Sequence, residues 1–198
     1  MGLDLGYTDG QTPLDEDEKE GLLIPTITTR GELDEFEQLG VEKANEWLLG
    51  KSLSINKILT GDFVKDLHKR MFADIWQWAG EFRKSDKNIG VDKFVIGIEL
   101  KNLLDDCNYW IENKVFEEDE IAVRLSHRMV FIHPFANGNG RHSRLMADIL
   151  ISKAFNKPYF TWGSMSLTKK GEARTKYLES LKAADQNNYK PLIDFARL

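Results

Sequence analysis

From residue 29 to the C-terminus, apolar residues recur at spacings of three and four almost without a break. A chain patterned that way buries them by packing helices against one another. Thr29-Arg30-Gly31-Glu32 has the form of a capping box, in which a hydroxyl and a carboxylate satisfy free amides at a helix start. Leu33, Phe36, Ala44, Trp47 and Leu48 follow as one stripe. Thr60 is placed to N-cap a second helix carrying Phe63, Leu67, Met71 and Ile75. Further helices are expected over about 100–111, 119–132, 140–150, 170–184 and 191–198, the last with a proline in its first turn. The 119–132 segment is apolar on most sides, which predicts a central helix ended by Pro134. Residues 81–96 break the period and read as a small hairpin or extended loop. The expected fold class is therefore mostly α, one helical domain with a small β-hairpin.

Size and composition agree with that reading. The chain has 198 residues, of which 41% are hydrophobic and 30% charged, suited to a folded domain and not to disorder. Its 27 Lys and Arg against 32 Asp and Glu leave a formal net charge of -5, which argues against broad electrostatic binding to nucleic acid but leaves room for a local basic site. No apolar run is long enough to span a bilayer, and residues 1–10 lack a basic region followed by an apolar one. The single cysteine, Cys107, excludes an internal disulfide framework and any multi-cysteine metal site, and its helical spacing with Leu100, Leu103, Leu104 and Ile111 reads as core. A cytoplasmic location is expected, with no membrane partner and no direct nucleic-acid binding. Residues 1–25 are acidic and irregular, with a short exposed helix expected at 15–20 and ended by Pro25.

The chemistry concentrates in His133-Pro134-Phe135-Ala136-Asn137-Gly138-Asn139-Gly140-Arg141-His142-Ser143-Arg144. This stretch joins two apolar helices through glycines and asparagines, the residues that tolerate positive φ. Successive amides in such a loop form an anion-binding nest, and the free N–H groups of the following helix point at the same place. Arg141 and Arg144, three apart, share one face of its first turn and suit phosphate oxygens. His133 leaves the preceding helix at the loop's edge, with the side chain best suited to proton transfer near neutrality. A glycine-rich connector alone is usually a turn and two helical arginines are usually solvated; their conjunction within twelve residues points to phosphoryl or nucleotidyl transfer. It is not a P-loop. His127, His133 and His142 lack the spacing of a zinc site, and Trp162 reads as packing.

The same stretch resembles the Fic (Fido) motif His-x-Phe-x-(Asp/Glu)-Gly-Asn-Gly-Arg-x-x-Arg, with His133, Phe135, Gly138, Asn139, Gly140, Arg141 and Arg144 all fitting. Trp76-Gln77-Trp78-Ala79-Gly80-Glu81-Phe82-Arg83 resembles the family's Trp-Ala-Gly-x-x-Arg segment, and residues 177–195 resemble its C-terminal helices, so the likeness covers roughly 30–197. With Ile89-Gly90-Val91-Asp92 and Tyr159-Phe160-Thr161-Trp162-Gly163, the pattern is similar to bacterial proteins labelled mobile mystery protein B, which are often encoded beside a small helix-turn-helix protein. The resemblance implies a Fic-type helical bundle over 29–198, preceded by an N-terminal segment, 1–28, that carries a candidate inhibitory helix. It implies transfer of AMP from ATP, with Mg²⁺, to a Tyr, Ser or Thr hydroxyl of a protein. By that analogy His133 is the general base, Gly138, Asn139 and Gly140 hold the α- and β-phosphates, Arg141 contacts phosphate, Arg144 holds the γ-phosphate, and the 84–92 hairpin is a flap that aligns the target. An antitoxin or helix-turn-helix partner is a further implication.

One position departs from the family pattern. Asn137 stands where the motif has its metal-binding acid, and an amide offers a cation a dipole instead of a charge. That predicts weaker metal affinity at Asn137 and also admits a different transferred group. The family's inhibitory pattern, Ser/Thr-x-x-x-Glu-Gly/Asn, is matched in part twice: Glu20-Gly21 has its ending and Thr168-x-x-x-Glu172 its beginning. Glu20 is the candidate for restraining Arg144, set against a solvated acidic helix. Two function classes follow: a protein-modifying adenylyltransferase, or a weakly active or non-catalytic nucleotide-binding regulator of toxin type.

Overall fold

The structure, a computed structural model, describes residues 12–164, 167 and 171–198. Among them the helices are α1 (Glu16–Glu20), α2 (Arg30–Leu48), α3 (Ile55–Ile58), α4 (Gly61–Phe72), α5 (Ile96–Glu112), α6 (Glu118–Ile132), α7 (Asn139–Ile149), α8 (Glu172–Asp185) and α9 (Lys190–Arg197). Thr29 caps α2 as its sequence requires: its hydroxyl accepts the Glu32 amide at 3.3 Å, and the Glu32 carboxylate accepts the amides of Thr28 and Thr29. Thr60 does the same for α4 through the Phe63 amide at 3.2 Å. Helix α6 is central, buried through Ile121, Ala122, Val123, Leu125, Met129 and Ile132, and it packs on α5, α7 and α9. A π-helical turn, Leu150–Ala154, extends α7. Cys107 is fully buried, and burial pushes its thiol far above the usual range. One apolar cluster runs from Leu14 and Ile27 to Phe195 and Ala196, so the N-terminal segment shares the core of the helices. No helix among the described residues is long and apolar enough to cross a membrane.

Two expectations need correction. The inner face of α2 is Leu33, Glu37, Gly40, Ala44 and Leu48, while Phe36 is 40% exposed. A carboxylate therefore takes the place expected for an aromatic ring, and its partners lie in the site described below. Gly40 belongs to the same face because a Cβ there would stand 1.9 Å from the Met71 carbonyl oxygen, so α2 and α4 meet backbone to backbone.

The second correction concerns residues 81–96. They form no strand and no hairpin; among the described residues the only strand-like pairing is an isolated antiparallel bridge between Leu22 and Trp76. The reason is a buried guanidinium. Arg83 donates to the carbonyls of His133 at 2.7 Å, Ser85 at 2.8 Å and Val91, and Asp86 accepts the Lys93 amide at 2.9 Å. These side-chain bonds do the work of a cross-strand ladder and leave the flap an irregular loop. The loop is docked directly on the 132–134 backbone, with the Arg83 amide on the Pro134 carbonyl at 2.9 Å. The helix expected over 170–184 runs from Glu172 to Asp185, and residues 168–170, including Thr168, lie outside the described residues, as do 1–11.

Gly40→Ala should separate α2 from α4 and lower stability by about 1–3 kcal/mol, read as a fall in the urea midpoint.

Candidate active site

Helix α6 ends at His133, which takes φ 55° and ψ 59°, a left-handed conformation that turns the chain into the glycine-rich loop. The imidazole is 6% exposed. Its Nδ1 lies 3.3 Å from the Val130 carbonyl, which can only accept, so Nδ1 carries the hydrogen and Nε2 is the acceptor. The Thr12 hydroxyl donates to that Nε2 at 3.0 Å. Burial, with smaller contributions from Arg83 and Lys87, pulls the His133 pKa down to about 4. The flap backbone presses on the same residue: a Cβ on Gly90, at φ 106°, would stand 2.8 Å from the His133 Cβ.

The loop beyond His133 is fixed from inside. Asn139 Oδ1 accepts the Phe135 amide at 2.9 Å and its Nδ2 donates to the Phe135 carbonyl at 2.7 Å, so this side chain braces the loop and is engaged within it. His68, fully buried, donates from Nε2 to the Asn137 carbonyl, accepts the Gly80 amide at Nδ1, and stacks on Phe135 at 3.7 Å. His142 is likewise buried, 2.9 Å from the Val64 carbonyl. Gly138, at φ 78°, precedes α7; a Cβ there would stand 2.5 Å from the Phe72 ring, so only glycine fits. The first amides of α7 then have no intrahelical acceptor and face an anion site.

A cavity of about 450 Å³ opens over this helix start, lined by Thr12, His133, Asn137, Gly138, Asn139, Gly140, Arg141 and Arg144. Arg30, Arg174 and Lys182 line it too, so five cationic side chains converge in a chain of net negative charge. Burial, then the Arg144 and Arg30 guanidiniums, hold Arg174 below the ordinary arginine value, the signature of crowded positive charge. Arg141 keeps one nitrogen, Nη1, buried without a partner; the Tyr177 hydroxyl is in the same condition, its ring 5.3 Å beneath the Arg144 guanidinium. Unpaired buried donors beside free helix amides fit a bound polyphosphate.

Glu37 explains the departure at 137. Its carboxylate is 1% exposed, pairs with Arg141, and accepts Trp76 Nε1 at 2.7 Å and Asn137 Nδ2 at 2.9 Å. An aspartate at 137 would face this carboxylate, whereas an amide offers it a donor. The Asn137 Oδ1 is then the acceptor not engaged by Glu37. Among the described residues no three His, Cys, Asp or Glu side chains come together as a metal cluster. The expected regulatory residue, Glu20, is exposed at the end of α1 and is not among the residues that line the cavity. His127 pairs instead with Asp185 at 2.8 Å and with the Tyr189 hydroxyl, away from the cavity. Trp162 is packed against the core with Nε1 on Asp148 at 3.1 Å.

Residues 58–151 match the Fic/DOC family. The chain carries a Fic/DOC domain. It is 26% identical over 168 residues to a protein adenylyltransferase Fic of Aedes aegypti and 23% identical over 167 residues to that of Nematostella vectensis, in each case over 82% of this chain. The chain spans 32% and 37% of the length of those two curated relatives. Among solved structures, Fic-1 of C. elegans aligns with a TM-score of 0.68 at 22% identity over 90% of this chain and 51% of that one. BepC of Bartonella tribocorum with bound AMPPNP aligns with a TM-score of 0.63 at 19% identity over 92% of this chain and 97% of that one. These structural likenesses establish the fold.

Thr12, Arg30, Glu37, Lys87 and Arg174 have no site role in the sequence pattern, and Arg83 appears there only as the end of the 76–83 segment. The signal for Glu37 was present: it is the one acid in the 33, 37, 40, 44, 48 face of α2, and a carboxylate in an apolar stripe must find a partner. Asn137→Asp should destabilise the chain by placing a second carboxylate against Glu37. In a Glu37→Gln background, itself destabilised by about 3 kcal/mol, the same change should cost little; a double-mutant cycle of urea midpoints should give a coupling of about 1–3 kcal/mol. Buried neutral His68, His133 and His142 all have pKa values lowered by burial, the last two to about 4. The unfolded chain therefore binds protons that the folded one refuses as pH falls from 6.5 towards 4, and stability is lost through that window. Asp148, pushed up to about 7 by burial, opposes this, one group against three. Urea midpoints should accordingly fall between about pH 7 and 4.5.

Proposed function

We propose that this chain transfers AMP from ATP to a hydroxyl side chain of a protein. The observation that carries the reading is the acceptor nitrogen of His133, 3.0 Å from a hydroxyl, at the rim of a cationic cavity built on the start of α7. The curated relatives named protein adenylyltransferase point to the same chemistry. In this reading the cavity takes the triphosphate: the amides after Gly138 and the free Arg141 Nη1 hold the inner phosphates, and Arg144 holds the outer one. The acceptor hydroxyl lies on the flap side, against His133.

The step balances as a single displacement. The hydroxyl oxygen forms a bond to the α-phosphorus, its proton goes to His133 Nε2, and the bond from that phosphorus to the oxygen bridging the β-phosphate breaks. The electron pair leaves with pyrophosphate. Because Nδ1 is tied to Val130, the imidazole presents one face and one tautomer throughout. Mg²⁺ fits this arrangement as an ion borne mainly by the nucleotide, with Asn137 Oδ1 as its protein oxygen, and would neutralise charge on the phosphates. Arg83 positions the base by holding the His133 carbonyl under the flap.

With ATP labelled on the α-phosphate, label should pass to protein, while γ-labelled ATP should leave none. His133→Ala should reduce transfer by roughly 100-fold or more. Transfer of the γ-label, or of nothing from any nucleotide, would overturn the reading.

A further inference from the structure

We infer that Thr12 is itself an acceptor: the protein transfers AMP in cis onto its own Thr12. This rests on the adenylyltransferase reading above and extends it to a site within the chain. Thr12 is 9% exposed, lines the phosphate cavity, and gives its hydroxyl proton to the one imidazole nitrogen free to take it. A target side chain would have to occupy the same place to be deprotonated. The backbone is suited to it as well, because Pro13 biases the residue before it towards an extended conformation, the form in which a peptide presents a side chain to a groove.

Several contacts hold the segment there. Lys87, from the flap, has a side chain only 2% exposed and bridges Asp15 at 2.8 Å, Glu18 and the Pro13 carbonyl at 3.3 Å. The Lys87 ammonium, and then Ser85, hold the Asp15 carboxyl below the usual carboxylate range. Ser85 donates to Glu18 at 3.2 Å, and Trp78 Nε1 donates to the Glu18 carbonyl at 2.9 Å. Leu14 is buried in the core immediately beyond Pro13. The flap therefore grips residues 13–18 and delivers residue 12 to His133.

With ATP bound, Thr12 Oγ1 forms the bond to the α-phosphorus, its proton passes to His133 Nε2, and pyrophosphate leaves with the electron pair of the broken bond. The test is incubation of the full chain with ATP and Mg²⁺ or Mn²⁺, followed by intact mass and peptide mapping. The expected result is one AMP on Thr12, formed at a rate independent of protein concentration, lost in the near-isosteric Thr12→Val and kept in Thr12→Ser. AMP on another residue or on lysate proteins while Thr12 stays unmodified overturns the inference and leaves the proposed function standing. A rate that rises with protein concentration overturns the in-cis assignment. No transfer to any protein by wild type or Thr12→Val overturns the function and this inference together.

Discussion

The carboxylate of Glu37 joins parts of the molecule that lie 39, 100 and 104 residues away along the chain: Trp76, Asn137 and Arg141. It sits on the inner face of α2, where hydrophobic packing would ordinarily place a leucine. A buried charge is tolerable only when fully paired, and Glu37 spends its oxygens on an indole, an amide and a guanidinium. In return it sets the angle of Arg141, which leaves one guanidinium nitrogen unpaired for an anion, and it sets which way the Asn137 amide faces. The glycine-rich loop thus takes its shape from a helix about a hundred residues earlier in the chain.

Helix positions were readable in the sequence because local spacing, caps and prolines determine them. Thr29 and Thr60 cap where their motifs say, and α6 is as central as its apolar surface requires. The segment from His133 to Arg144 was readable for the same reason: its members are neighbours in the chain, and their joint placement needs only a turn and one helix start. What could not be read were contacts made at long range. Nothing near Arg83 announces that its guanidinium will replace a β-ladder, and a break in helical period at 81–96 does not separate a hairpin from a loop whose carbonyls are satisfied by side chains. Nothing near Thr12 announces His133, 121 residues distant. Arg30 and Arg174 look like ordinary surface cations until the fold turns them into one cavity.

The acidic charge of the chain and the cationic interior of its cavity are compatible because they occupy different scales. Long-range attraction follows net charge, screened over a Debye length, whereas the cavity acts on whatever has already entered it. A group as small as a triphosphate could meet all five cations at once.

The hydrogen bond from His133 Nδ1 has a consequence for the strength of the base. The imidazole leans on a carbonyl of its own helix, not on a carboxylate, and Arg83 and Lys87 stand nearby, so among the described residues no acid is paired with the ring to balance an imidazolium. Such a group is a poor reservoir for a proton: under the proposed function it would accept one only as the hydroxyl oxygen bonds to phosphorus. Desolvation is the largest reason for its weakness, and Thr12 is one of the groups that keep water from its Nε2. Drawing the N-terminal segment aside would wet the ring and raise its basicity, with Arg83 and Lys87 still holding it below an ordinary histidine.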